Sequence, residues 1–251
     1  MTARILIVAG SDSGGGAGIQ ADIKTVTMLG GHAMTAITAI TAQNTLGVRD
    51  VLPLPLTMVE AQFRAVVDDI GVDAVKIGML GTPGLVGTVA RLLESLPRDV
   101  PVVFDPVMVA TSGDALSAEG TARAMQAILP LSALVTPNLP ELAALGGAEA
   151  ILAAAPAVLV KGGHAEGATI VDRLLTRASD NPGGEAARWE DERIATTSTH
   201  GTGCTLASAI ATGLGQGLPL IEAIASARRF VRAALLAAPG LGGGHGPMGH
   251  Q

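Results

Sequence analysis

Aromatic side chains are almost absent from this sequence: they make up 2% of its 251 residues, and tyrosine does not occur. Single-stranded nucleic acid is usually held by aromatic rings on which its bases stack, and a phosphate backbone needs a basic surface. The chain has 22 acidic against 16 basic residues, a formal net charge of -6. We therefore expect no nucleic-acid partner.

Cysteine occurs once, as Cys204, which excludes an internal disulfide. The N-terminal residues lack the basic region, long apolar stretch and cleavage site of a secretory signal. The apolar run 220–238 is interrupted by Glu222 and by arginines such as Arg228, so it is not an uncharged span of membrane length. The histidines show no zinc-ligand spacing. The sequence predicts a soluble, cytoplasmic protein without a membrane partner or a structural zinc.

Hydrophobic residues are abundant, at 48%, and strand-like and helix-like segments alternate along the chain. Such alternation is typical of an α/β fold with a mostly parallel sheet covered by helices on both faces. No Ser-rich, Pro-rich or charged linker divides the chain, so we expect a single domain over residues 1–251. The Gly-rich segment 239–251 is predicted to be a flexible tail unless it folds over the site.

Short apolar runs and helical spacings locate the elements. Strands are predicted within residues 4–9, 33–42, 74–79, 100–104, 134–136 and 157–161. Helices are predicted after the first Gly-rich loop, after a capping box at Thr57, after Pro83, after a Ser117 cap as far as Ile128, and over 206–214. Two extended segments between residues 169 and 199 flank the turn-rich run 180–184 and suggest a hairpin carrying Trp189.

Unusual residues follow the ends of these strands. In an open parallel sheet, ligands gather at the carboxyl ends of the strands. The residues at those ends are Gly10, Gln43, Met79, Asp105, Asn138 and Lys161. Polar, Gly-rich loops follow strands in any α/β protein, so each residue alone has an ordinary explanation. Taken together, they predict an active site at this edge.

The segment Gly201–Thr202–Gly203–Cys204 opens a helix with small residues. Unpaired backbone N–H groups there can bind an anion at the positive end of the helix, although a merely flexible turn would look similar. The same helix end is expected to lower the pKa of the Cys204 thiol. Cys204 is then either a general base or an ordinary buried cysteine.

Three charged residues suit phosphate chemistry. Asp105 and Glu141 are hard oxygen ligands of the kind that Mg²⁺ prefers. Lys161 ends an apolar strand, where it either reaches an anion or extends to the sheet edge. The first Gly-rich loop fits neither G-x-G-x-x-G, since Ile19 occupies the last glycine position, nor a P-loop. It is instead a candidate for holding or covering the acceptor substrate.

Six motifs, in order along essentially the whole chain, match one family. They are AGSDSGGGAGIQAD at 9–22, KIGML at 76–80, DPVM at 105–108, TPNLPE at 136–141, KGGH at 161–164 and THGTGCT at 199–205. In these motifs the sequence resembles the hydroxymethylpyrimidine/phosphomethylpyrimidine kinases of thiamine biosynthesis, a ribokinase-like family. The first motif is nearly diagnostic.

The resemblance implies a ribokinase-like three-layer αβα fold, with ATP and Mg²⁺ as cofactors. The implied activity is phosphorylation of 4-amino-5-hydroxymethyl-2-methylpyrimidine, and then of its monophosphate. By the same likeness, the pyrimidine pocket comprises Gly10, Asp22, Gln43, Met79 and Val107. Asn138 and Lys161 match the nucleotide side, Asp105 and Glu141 the metal, and Gly201, Thr202, Gly203 and Cys204, with Lys161, the catalytic anion hole. The family also implies a homodimer.

Two departures and two alternatives remain at this point. The wider superfamily usually has an aspartate base where this chain has Cys204. The segment 141–157 is shorter than is usual in the family, which predicts a trimmed helix beside the nucleotide site and an effect on ATP affinity. A pyridoxal kinase would phosphorylate a similar ring, although Gln43 and Met79 favour the pyrimidine. A non-catalytic protein that binds a vitamin precursor would not need both an anion hole and Lys161.

Overall fold

The computed structural model describes residues 2–114, 116–163, 167–177 and 184–250. Within them, nine strands form one sheet in the order β3-β2-β1-β4-β5-β6-β7-β8-β9. The strands are β1 (Arg4–Asp12), β2 (His32–Asn44), β3 (Gly47–Pro53), β4 (Ala74–Ile77), β5 (Val102–Phe104), β6 (Leu134–Val135), β7 (Ala157–Val160), β8 (Thr169–Thr176) and β9 (Glu185–Glu192). The helices are α1 (Gly18–Met28), α2 (Leu56–Val67), α3 (Pro83–Glu94), α4 (Thr121–Ala124), α5 (Leu139–Ala144), α6 (Gly147–Ala154), α7 (Thr202–Gly215) and α8 (Leu220–Leu236).

The centre of the sheet is parallel from β2 through β1, β4, β5 and β6 to β7. Its edges are antiparallel, where β3 pairs with β2, and β8 and β9 continue beyond β7. The predicted α/β class with a mostly parallel sheet is therefore confirmed. Strand β3 was not predicted from the sequence.

Strand β1 shows how the three layers form. Successive side chains of a strand point to opposite faces, and Leu6 and Val8 pack in one core while Ile5 and Ile7 pack in the other. The first core includes side chains of α2, α3 and α6, and the second those of α1, α7 and α8. Because both faces of the strand are covered, its sequence is continuously apolar rather than alternating.

The observed helix boundaries show that two predicted N-caps, at Thr57 and Ser117, are wrong. Helix α2 begins at Leu56, after Pro55, so Thr57 lies inside the first turn and its hydroxyl does not cap the helix. The helix predicted after Ser117 begins only at Thr121, because Gly120 has a φ of 79° and reverses the chain before it. Ser117 Oγ is left buried without a hydrogen-bond partner in the described part of the chain. By contrast, Thr82 caps α3 ahead of Pro83, accepting a hydrogen bond from Leu85 N at 3.3 Å.

The predicted edge hairpin carrying Trp189 is formed by β8 and β9, and Trp189 is opposite Asp172 in it. Most of its predicted turn, residues 180–183, and His164 of the KGGH motif lie outside the described residues. The segment predicted to be shortened contains two short helices, α5 and α6. Among the described residues, no helix is both long and apolar enough to span a bilayer.

The C-terminal segment is held against the site, which corrects the prediction of a flexible tail and realises its stated exception. His245 N donates to Thr45 O at 2.9 Å, and Gly246 O accepts from His200 N at 3.1 Å. Met248 is buried, and Gly249 N donates to Ala234 O. The segment therefore connects α8, the β2–β3 turn and the approach to α7.

Candidate active site

A cavity of about 910 Å³ lies where the carboxyl ends of the central strands meet α7. Every predicted site residue except Asp22 lines it: Gly10, Gln43, Met79, Asp105, Val107, Asn138, Glu141, Lys161, Gly201, Thr202, Gly203 and Cys204. Residues spread from position 10 to position 204 converge because parallel strands end at one edge of a sheet.

Asp105 and Lys161 form the polar centre of the cavity. Asp105 follows β5 and is 1% exposed, and Lys161 follows β7. Lys161 Nζ donates to Asp105 Oδ1 at 2.7 Å, and Thr136 Oγ1 donates to the same oxygen at 3.1 Å. Burial alone would lower the pKa of Lys161, but the charges of Asp105 and Glu141 outweigh it and raise that pKa. Lys161 is therefore a permanent cation facing the cavity.

Helix α7 points its N-terminus at this cation. Its N-cap residue, Gly201, has a φ of 83°, and no side chain caps the helix. A methyl group at Gly201 would lie 1.9 Å from Gly16 O, so only glycine fits between α7 and the first loop. A methyl group at Gly203 would lie 3.2 Å from Lys161 Nζ and 3.5 Å from Asp105 Oδ2. The uncapped amides and the ammonium thus share one anion-binding region.

The environment of Cys204 contradicts the predicted low pKa. Burial raises the pKa of its thiol to about 11, and the charges of Asp22 and Asp105 act in the same direction. Lys76 and a hydrogen bond from the Gly18 amide oppose this rise without cancelling it. Burial and the two carboxylates therefore outweigh Lys76 and the Gly18 amide, and Cys204 is a neutral thiol near pH 7.

Asn138 and Glu141 cap α5 reciprocally. Asn138 Oδ1 accepts from Glu141 N at 2.9 Å, and Glu141 Oε2 accepts from Asn138 N at 2.8 Å. Glu141 Oε2 also lies 4.0 Å from Lys161 Nζ. Burial raises the pKa of Glu141 to about 7, although Lys161 opposes this. Both predicted residues therefore face the cavity while they hold a helix end in place.

The far end of the cavity is less polar. Met79 is 7% exposed, and a methyl group at Gly10 would lie 3.0 Å from its sulfur. Gln43 and Val107 complete this end. The combination of one amide and apolar walls suits a small flat ring with a polar edge.

Asp22 lies behind the cavity wall and is fully buried. Its oxygens accept from Lys76 Nζ at 3.0 and 2.8 Å, and Ser208 Oγ donates to Oδ1 at 2.7 Å. The structure therefore does not bring Asp22 together with Gln43 and Met79. Burial alone would lower the pKa of Lys76, but the charge of Asp22 outweighs it and raises that pKa.

Comparison with known proteins identifies the family to which the chain belongs. Residues 12–249 match the family model described as phosphomethylpyrimidine kinase. A hydroxymethylpyrimidine/phosphomethylpyrimidine kinase of Streptomyces coelicolor is 47% identical over 98% of this chain and 93% of that protein. The chain belongs to the phosphomethylpyrimidine kinase family. A thiamine biosynthesis bifunctional protein of Geobacter sulfurreducens is 46% identical over 98% of this chain and 52% of that protein.

Solved structures confirm the ribokinase-like fold of this kinase. The ADP complex of Bacillus subtilis pyridoxal kinase superposes with a TM-score of 0.88 at 34% identity, covering 100% of this chain and 98% of that one. The predicted family, fold class and phosphotransferase activity are thus confirmed, and a kinase of this family uses ATP.

Sequence reasoning gave no role to Asp12 and His200, which join the first loop of the kinase to α7. Asp12 accepts hydrogen bonds from the amides of Gly14, Gly16 and Ala17 at 2.8 to 3.0 Å. His200 Nε2 lies 2.9 Å from Asp12 Oδ2. Burial alone would raise the pKa of Asp12, but these hydrogen bonds, led by that of His200, outweigh it and lower that pKa. An aspartate before a run of glycines was the available signal.

A second group missed from the sequence lies at the outer end of the kinase cavity. Arg228 of α8 forms ion pairs with Asp172 and Asp191, and its guanidinium lies 5.7 Å from the Trp189 ring centroid. Burial lowers the pKa of Arg228 to about 10. Asp172 Oδ1 also accepts from Gly162 N at 2.8 Å. An arginine within the apolar spacing of α8 was the only signal for this cluster.

Proposed function

We propose that the protein transfers the γ-phosphoryl group of ATP to the hydroxymethyl group of 4-amino-5-hydroxymethyl-2-methylpyrimidine, and then phosphorylates the monophosphate. One observation carries the proposal: the uncapped start of α7 and Lys161 face the same cavity as Gln43 and Met79. An anion site beside a pocket for a ring is what phosphorylation of a ring alcohol requires. The names of the related kinases supply the substrate.

Gln43 and the apolar wall orient the acceptor. The Gln43 amide carries both a donor and an acceptor, which match the ring nitrogen and the amino group of an aminopyrimidine. Met79 and Val107 offer apolar surface to the ring faces. Gly10, without a side chain, leaves room beside the Met79 sulfur. A ring held in this way directs its hydroxymethyl group toward α7, which converts phosphoryl transfer into a positioned reaction.

Helix α7 and Lys161 stabilise the charge on the phosphoryl group during its transfer. Phosphoryl transfer passes through a loose, charge-rich transition state, and catalysis rests mainly on positioning and electrostatics. The amides of Gly203 and Cys204 and the Lys161 ammonium supply positive potential that is in place before the reaction begins. Asp105 holds Lys161 in position with a hydrogen bond of 2.7 Å.

Two carboxylates would hold the Mg²⁺ that accompanies ATP. Asp105 and Glu141 both line the cavity beside Lys161, and carboxylate oxygens suit this ion. The described residues contain no cluster of three or more His, Cys, Asp or Glu that could cage a metal. This fits Mg²⁺, which usually keeps several waters and shares the nucleotide phosphates. When bound, the ion neutralises charge on those phosphates.

Cys204 takes part as a neutral group in this proposal. With a thiol pKa of about 11, little thiolate exists near pH 7. A standing thiolate base is therefore not required of it. Replacement by serine should preserve most of the turnover, whereas a standing-base role would lose it.

The test is direct. Purified protein with Mg-ATP and the pyrimidine alcohol should yield the monophosphate and then the diphosphate, followed by mass spectrometry. Pyridoxal is the second acceptor to test, because the superposed Bacillus subtilis structure is a pyridoxal kinase. Phosphorylation of pyridoxal alone would replace the proposal, and binding of the pyrimidine without ATP consumption would favour a binding protein. Location in the cytoplasm, the homodimer and the individual site roles stay predictions.

A further inference from the structure

The side chain of Gln43 ends among partners whose hydrogens can be counted. Gln43 Oε1 lies 3.1 Å from Thr41 Oγ1, and Gln43 Nε2 lies 3.4 Å from His200 Nε2. Thr41 Oγ1 also lies 3.0 Å from Ser11 O, and His200 Nε2 lies 2.9 Å from Asp12 Oδ2. The Asp12 carboxylate can only accept, and this decides the direction of the whole chain of contacts.

The His200 end requires an N–H at Nε2. Asp12 Oδ2 already accepts the amides of Gly16 and Ala17 at 3.0 and 2.8 Å, so it acts as an acceptor toward the imidazole as well. A neutral imidazole carries one N–H, and here it must be on Nε2. The Nε2 atom of His200 therefore cannot accept a hydrogen bond from an amide NH₂ group.

The Thr41 hydroxyl can donate either to the Ser11 carbonyl at 3.0 Å or to Gln43 Oε1 at 3.1 Å, so the His200 end decides between the two. A hydroxyl has one hydrogen, and the Ser11 carbonyl can only accept it. Thr41 is 4% exposed, so its hydroxyl has little access to water. When the hydroxyl donates to Ser11 O, its oxygen is an acceptor toward Gln43 and matches an N–H group of the amide.

We infer that Thr41 and His200 are positioning residues that fix the Gln43 amide with its NH₂ toward Thr41 and its oxygen toward His200. This is a half-turn from the orientation in the structure, and it exchanges amide oxygen and nitrogen without changing the volume occupied. No two donors then face each other along the relay Ser11–Thr41–Gln43–His200–Asp12, because Thr41 donates to Ser11, Gln43 donates to Thr41, and the single Nε2–H of His200 stays with Asp12. The inference deepens the proposed function and rests on it for the identity of the ring.

The relay makes Gln43 a selective reader of the ring edge. With one N–H bound to Thr41, the amide keeps one N–H and one oxygen lone pair for the ligand, in a fixed order. A 4-amino pyrimidine offers an acceptor ring nitrogen beside an amino donor. Its 4-oxo analogue offers the reverse, an N–H beside a carbonyl. A fixed amide discriminates between them, whereas an amide free to make a half-turn accepts either.

Thr41→Val tests the relay because it removes the hydroxyl and keeps the shape of the side chain. Calorimetric dissociation constants are measured without ATP for 4-amino-5-hydroxymethyl-2-methylpyrimidine and its 4-oxo analogue. We expect the preference for the amino compound to fall by about three- to tenfold, the effect of one neutral hydrogen bond. The dissociation constant for ATP should not change, which separates the effect from a general loss of structure.

Two further variants complete the experiment. Thr41→Ser keeps the hydroxyl and should restore the wild-type preference, and Gln43→Ala should abolish discrimination. An unchanged preference in Thr41→Val, or equal losses for both pyrimidines in Thr41→Val and Thr41→Ser, would overturn the relay. If the wild type binds both pyrimidines but phosphorylates neither, the proposed function fails while the relay is still measured. A wild type that binds neither compound overturns both.

Discussion

Two lysine–aspartate pairs lie under the same sheet edge, and they differ in whether a ligand can reach them. Lys161 and Asp105 are 2.7 Å apart, with side chains 13% and 1% exposed, and both line the cavity. Lys76 and Asp22 are 2.8 Å apart, and both are 0% exposed. The chemistry is the same, but one pair can meet a ligand and the other is sealed. An ion pair in a kinase is therefore informative about catalysis only when its position in the fold is known.

The positions of the two lysines along their strands explain the difference. Lys76 is inside β4, so its side chain enters the layer between the sheet and helices α1 and α7, where Asp22 and Ser208 receive it. Lys161 directly follows the last residue of β7, and its N–H still donates to Pro137 O at 3.0 Å. There the side chain meets the first turn of α7, at Gly203, and it faces the cavity.

The largest expected effect is a loss of stability when the sealed pair, Lys76 and Asp22, is broken. Lys76→Met leaves the Asp22 carboxylate buried without its cation, so the free energy of unfolding should fall by about 3–5 kcal/mol. Urea denaturation followed by the fluorescence of the single tryptophan, Trp189, measures this. The double variant Lys76→Met/Asp22→Asn should recover much of the loss, because it removes the unpaired charge. A single variant as stable as the wild type would mean that the pair is not sealed.

Breaking the open pair, Lys161 and Asp105, should lower turnover more than stability. Lys161→Met removes a preformed donor from the phosphoryl site, and kcat should fall by about 10²–10³-fold. The free energy of unfolding should fall less than in Lys76→Met, because water in the cavity can solvate Asp105. Steady-state kinetics and urea denaturation are measured together, with Lys161→Arg as the charge-preserving control. A variant that unfolds readily yet keeps its kcat would reverse the comparison.

Cys204 lies between the two pairs and reports on both. Its pKa of about 11 means that the thiolate, the reactive form, increases with pH well beyond the range of an ordinary thiol. Alkylation by iodoacetamide should accelerate about tenfold per pH unit between about pH 7 and pH 10, whereas a free cysteine levels off above about pH 9. Because Cys204 is the only cysteine, mass spectrometry reads the rate without background. A plateau below pH 8 would show that the helix end dominates after all.

The smallest expected effect concerns the cap beside the open pair. Asn138→Ala removes the side chain that accepts from Glu141 N and should cost about 1 kcal/mol of unfolding free energy. Asn138→Ser can still cap α5 and should lose less. Thermal or urea denaturation of the two variants checks this. Equal losses would indicate that Asn138 stabilises the chain through something other than the cap.

The first loop and the strand ends show how much could be read from the chain. The apolar runs predicted most of the parallel strands, and the residues that follow them meet in one cavity because the topology brings strand ends together. Strand β3 was missed because its sequence, GVRDVLP, is mostly exposed and lacks a strong apolar pattern. The Ser117 cap was wrong because the backbone of Gly120, with a φ of 79°, interrupts the helix.

For this protein, the sequence alone determined the fold class, the family resemblance and the chemical types gathered at the strand ends, since these depend on local pattern and on the order of motifs. Tertiary structure alone decided that Asp22 is sealed with Lys76, that the Cys204 thiol has a raised pKa, and that His200 meets Asp12. The physical reason is that burial and pairing depend on neighbours distant in the chain. Asp12 and His200, separated by 188 positions, become partners only when the sheet and α7 have formed.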